Sequence, residues 1–147
     1  MSALAVRSLQ HVHGHIGWLA ALALAHPAVL LRRPERRVFG AALASTALVT
    51  VTALMGAFIY PSYRAAVKPA IFDAAPAIGS LFERKEHLGI AALALAWCGL
   101  SMYVLAHRRE APRPDLGRAA FVSYAGAAIA ATLAASGGLI VACYRSF

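Results

Sequence analysis

The stretch HVHGHIGW, residues 11–18, places His11, His13 and His15 within five positions. His11 and His15, four apart, share one helix face, while His13 points to the other side. That face continues at helical spacing through Trp18, Leu22 and His26. Further along, Glu83 and His87 repeat the four-residue spacing, and their stripe runs on through Ala91, Ala94 and Cys98. Two neutral imidazoles from different helices, one on each side of a macrocycle, are how a helical membrane protein holds a b-type haem. Small residues are needed where the ring approaches the backbone, and Gly14, Gly17, Gly89 and Ala91 surround these histidines. The expected haem b ligands are His15 and His87, with His11 as the substitute for His15. The same cluster fits a second chemistry: HxxxH and ExxxH together offer His11, His15, Glu83 and His87 to Zn or Cu. A membrane diiron site needs histidines in several boxes, whereas this chain has six in all and a single HxxxH.

Each of these residues also has a plainer reading. His11, His13 and His15 suit solvated polar positions at a membrane interface. Ser80-Leu-Phe-Glu83 has the pattern of a capping box, in which the Ser80 hydroxyl accepts from the Glu83 amide and the Glu83 carboxylate returns to the Ser80 amide. On that basis a helix is predicted to begin near Leu81, with Glu83 serving as a cap and His87 pairing with Glu83 or Glu86. His26 precedes Pro27, which frees the carbonyl of Ala23 and can bend the helix. A second haem between His26 and His107 is the sharper alternative, although His107 lies on the side of its helix opposite His87.

The elements that position these residues follow from composition. Of 147 residues, 61% are hydrophobic and only 14% charged, and the mean hydropathy is +0.66. These values lie outside the range of a soluble domain. The apolar residues form four blocks, about 11–31, 38–60, 88–106 and 119–142, each near the ~20 residues that cross a bilayer as a helix. They lack the alternation of barrel strands. The expected fold is all-α, an integral membrane four-helix bundle forming one domain over 1–147, with a long outer loop at 61–87. Pro61 and Pro69 punctuate that loop, Asp73 can cap a short turn, and Tyr60, Tyr63 and Phe72 suit an interfacial belt. Cys98 and Cys143 are far apart and read as packing residues.

The net charge of +8 is gathered in the short connections. Arg32, Arg33, Arg36 and Arg37 fill the first; Arg108, Arg109, Arg113 and Arg118 fill the third. By the positive-inside rule these turns face the cytoplasm and both termini the outer side of a bacterial-type inner membrane. Such charge marks topology and contact with the lipid bilayer, and no nucleic acid is expected. Arg7 followed by an apolar run to Ala23-Leu24-Ala25 has the outline of a cleavable signal, but histidines interrupt its core and the run continues past the site.

In the fourth block Gly126, Ala130, Ala134 and Gly138 recur every four residues, as do Ser123, Ala127, Ala131 and Ala135. Two small ridges imply a helix sandwiched between neighbours, or one that offers a face to a protein partner or to another copy. The middle of each block holds no Asp or Glu, which argues against a proton-coupled transporter. There is also no phosphate loop and no nucleophile–base pair.

The four-span plan with His15 and His87 resembles small bacterial membrane cytochromes of the b type. That resemblance implies electron exchange between a quinol or another donor and an acceptor near the outer face, with Tyr60, Tyr63 and Arg64 along the approach. Three classes follow: a haem-binding electron-transfer protein or subunit, a Zn- or Cu-handling protein, and a non-catalytic accessory subunit of a membrane complex.

Overall fold

The computed structural model describes residues 3–33, 38–107 and 113–144, and every element among them is helical. The helices are α1 (Ala3–Leu30), α2 (Phe39–Ala66), α3 (Lys68–Ala74), α4 (Pro76–Ala106) and α5 (Pro114–Tyr144). Phe39–Ala65 of α2, together with α4 and α5, is long and apolar enough to cross a membrane. α1, diluted by His11, His13, His15 and His26, is not among the helices that meet that standard. Arg36, Arg37, Arg108 and Arg109, on which much of the inward assignment of the short turns rests, lie outside the described residues.

Residues 61–87 form far less of a loop than their prolines suggest. α2 runs through Pro61 to Ala66, and Pro69 and Pro76 each stand in the first turn of a helix. There the missing N–H costs nothing, because the first-turn donors have no intrahelical partner anyway. Pro76 also moves the start of α4 ahead of the expected position near Leu81. The capping box is therefore not formed: the Ser80 hydroxyl, already inside the helix, donates to the Pro76 carbonyl at 3.1 Å.

α1 packs on α2 and α5, and α4 packs on α2 and α5, so α1 and α4 stand diagonal to each other. Short α3 lies against α4 and α2. The core between the long helices is built mostly of small side chains: Ala20, Ala21 and Ala28 of α1, Ala42 of α2, Ala92 and Ala96 of α4, and Ala127, Ala130 and Ala131 of α5. Small residues let backbones approach closely, which is the main source of helix association where lipid and side chain are equally apolar. The approach is tightest at Gly99, where a Cβ would lie 2.9 Å from the Tyr124 ring. Both small ridges of α5 are thus largely used against α4 and α1 of the same chain.

Two tyrosines carry the polar part of this core. The Tyr124 hydroxyl donates to the Ala42 carbonyl at 3.0 Å and lies 2.9 Å from the Thr46 hydroxyl. The Tyr103 hydroxyl accepts from the Val38 amide at 3.0 Å. These bonds join α2 to α5 and to α4, and they satisfy groups that would otherwise be orphaned in an apolar interior.

Candidate functional site

The histidines sort onto two faces of α1. His11, His15, Trp18, Leu22 and His26 share one stripe, as their spacing predicts, and all five are exposed. The inward-turned imidazole is His13, which sequence reasoning set aside. Its Cε1 stands 3.1 Å from where a Cβ on Gly56 would be, so the absent side chain at that position of α2 seats the ring. Its Nδ1 is shielded from solvent with no hydrogen-bond partner among the described residues.

On α4 the two predicted ligands also point away from the interior. His87 is exposed, and its Nδ1 lies 2.8 Å from the Glu83 carbonyl. A carbonyl only accepts, so Nδ1 carries the proton and Nε2 keeps its lone pair toward the surroundings. Glu83 forms an ion pair with Lys68 of α3 at 2.8 Å. That contact holds the Lys68 ammonium above its usual pKa range, chiefly through the hydrogen bond to the carboxylate. Among the described residues, no three His, Cys, Asp or Glu side chains gather into a group able to hold a metal ion. His11 and His15 therefore do not join Glu83 and His87 in one cluster. Side chains at Gly14, Gly17 and Gly89 would meet nothing within 4 Å, so space beside the candidate ligands lies open on the outside of the helices.

His26 and His107 are likewise exposed and belong to the diagonal helices α1 and α4. The His107 Nδ1 donates to the Tyr103 carbonyl at 2.9 Å, and its ring lies 4.2 Å from the Tyr103 ring.

Where α3 meets α4, aromatic rings and cations alternate. Tyr63 stacks on Phe82 with centroids 4.8 Å apart, and Lys68 lies 6.0 Å from the Phe82 centroid. Lys85 approaches the same ring to 4.4 Å. Its stem fills the seam between α4 and α5, with its Cβ 3.3 Å from the Cβ position of Gly137. Sequence reasoning also missed Lys85, although a signal was available: Leu81, Lys85, Leu88 and Ala92 lie at helical spacing on the side of α4 opposite Glu83 and His87. Comparison with known proteins finds no matching family model, no matching curated protein and no matching solved structure.

Proposed function

We propose that this protein is a non-catalytic subunit of a larger membrane complex, docked to its partner through the outward stripe of α1. In this reading all four long helices cross a bacterial-type inner membrane as a four-helix bundle, with both termini on the outer side. The observation that carries it is the exposure of His11, His15 and His26 along one line of α1. With Arg32 at the inner boundary and ~30 Å of hydrocarbon, helical rise puts His26 about 9 Å from the inner boundary and His15 about 5 Å from the outer one. An imidazole at the depth of His26 in a membrane helix faces protein far more often than lipid, because lipid leaves its polar atoms unsatisfied. Over residues 119–143 α5 presents the opposite character, with no charged residue or histidine and with Val122, Ile129, Leu133 and Ile140 among its exposed side chains.

Photo-crosslinking side chains at Leu19 and Leu22, compared with Leu133 and Ile140, test this reading in native membranes. A discrete protein adduct from the α1 positions alone is expected. Lipid adducts from all four positions would remove the docking reading.

A second reading, b-type haem and electron transfer, is favoured by the fixed orientation of His87, whose bonded Nδ1 leaves Nε2 available as imidazole ligands require. In that reading His15 or His87, with His11 as substitute, supplies an axial ligand from the open surface. A reduced-minus-oxidised absorption spectrum beside His15→Ala and His87→Ala variants decides it, since a haem band must be lost in at least one variant. Metal analysis of the same samples tests Zn or Cu at His11, His15, Glu83 and His87.

A further inference from the structure

We propose that His11 and His15 of α1 form by themselves a two-imidazole chelate for a divalent transition-metal ion, Cu²⁺ before Zn²⁺, with its other coordination positions open toward the outer side of the membrane. The proposal rests on the Zn or Cu reading above and deepens it, placing the whole site on one helix without Glu83 or His87.

Side chains four apart on a helix stand about 5–6 Å from each other at Cβ, within reach of one ion bonded at about 2.0–2.1 Å to each ring nitrogen. It is the spacing at which a helical HExxH motif presents two histidines to zinc. Chelation also requires rings that are not already engaged. His11 and His15 both lie inside α1, which fixes their spacing, and both are exposed. Among the described residues neither ring has a hydrogen-bond or ion-pair partner. His87 and His107 differ, because each has its Nδ1 bonded to the carbonyl four residues back. Gly14, next to His15 and one turn along from His11, is exposed, and a Cβ there would meet nothing within 4 Å. No side chain at that position and no neighbouring helix therefore fills the space beside the pair. His26 shares the stripe but stands about 16 Å from His15 by helical rise, too far to join it. His13 turns inward against Gly56.

The donor set selects the ion. Two neutral nitrogens without a carboxylate suit Cu²⁺ and Zn²⁺, in that order of affinity, and not Ca²⁺ or Mg²⁺, which require oxygen ligands. Structural zinc sites are closed by four protein ligands, whereas sites with fewer keep water on the metal. Among the described residues no third His, Cys, Asp or Glu gathers at the pair, so the bound ion keeps water and exchanges with solution. In the proposed topology His11 lies at the outer boundary and His15 about 5 Å inside it, where an aqueous ion reaches both.

The test uses the full-length protein, free of any histidine tag, in phosphatidylcholine nanodiscs titrated with CuCl₂ or ZnCl₂. Bound metal is counted by mass spectrometry, and electron paramagnetic resonance reads the nitrogen ligands of Cu²⁺. One ion per chain with two imidazole nitrogens is expected, bound more tightly for Cu²⁺ than for Zn²⁺. His11→Ala and His15→Ala should each weaken binding about tenfold or more, because a single imidazole loses the chelate. Glu83→Gln, His87→Ala and His26→Ala should leave it unchanged. Binding that survives both α1 substitutions but is lost in Glu83→Gln or His87→Ala overturns the α1 site and leaves a metal-handling protein. Absence of micromolar binding to the wild-type protein overturns both.

Discussion

Residues that carry the packing of this chain are more sharply defined than those that carry its chemistry. Tyr124 touches Gly99 on one side and bonds to α2 on the other. Tyr124→Phe keeps the ring and leaves the Thr46 hydroxyl and the Ala42 carbonyl short of a partner, at a cost of about 1 kcal/mol. Gly99→Ala forces a methyl group toward a ring that is itself enclosed, and should cost about 1–3 kcal/mol. Thermal unfolding in detergent should therefore rank wild type above Tyr124→Phe, and both above Gly99→Ala. A Gly99→Ala variant as stable as wild type would mean that α4 and α5 are not held at this distance. The histidines show how much of the site was legible at this scale. Their spacing foretold which of them share a face, and His11, His15 and His26 do share one. Spacing alone does not say which face turns inward when the helix is rich in Ala and Leu on every side. What decided it for His13 is Gly56, more than forty positions away on another helix.

α3 illustrates what lies between sequence and site at the scale of an element. Seven residues make a helix too short to persist alone. It is held by the Lys68–Glu83 ion pair and by Phe72, whose ring abuts Gly79 of α4. An exposed ion pair contributes little to global stability. Lys68→Ala is accordingly expected to leave the unfolding temperature nearly unchanged while speeding amide exchange selectively in residues 68–74. The direction with pH follows from the raised Lys68 pKa. Its contribution is complete below the ordinary lysine pKa and is lost as pH rises through the raised value. Exchange in α3 should thus accelerate at strongly alkaline pH beyond the intrinsic rate increase, and Lys68→Ala should remove that extra acceleration. Uniform exchange across α3 and α4 in both proteins would show that the pair does not hold α3. The apolar blocks foretold the long helices well, because length and hydropathy leave few other structures for them. The segment between them reads as a loop because Pro61 and Pro69 look like punctuation, yet α2 runs through Pro61 and Pro69 stands in the first turn of α3. In the first turn of a helix, proline starts what it would elsewhere break. Pro76 then placed Ser80 inside α4, where its hydroxyl bonds backward and no cap forms.

At the scale of the whole molecule, the question is whether α1 belongs to the membrane with the other three long helices. The proposed reading places it there, and its packing on both α2 and α5 supports that reading. Ala20, Ala21, Leu24 and Ala28 share a core with residues of α2, α4 and α5, so removing α1 from the bilayer would carry its own apolar face into water. The histidines are then the cost of a helix that is only marginally apolar, and substitution should reveal it. Replacing His15 and His26 by leucine makes α1 more apolar without touching the inward face that holds His13. If α1 spans the membrane alone with its neighbours, the double variant should insert at least as well as wild type and unfold at an equal or higher temperature. If the exposed imidazoles meet a partner, the isolated variant should behave in that same way in detergent, while its cross-links from Leu19 and Leu22 in native membranes disappear. Stability and docking thereby separate in one variant. Reduced insertion of the double variant would place α1 at the membrane surface and leave α2, α4 and α5 as the only spans.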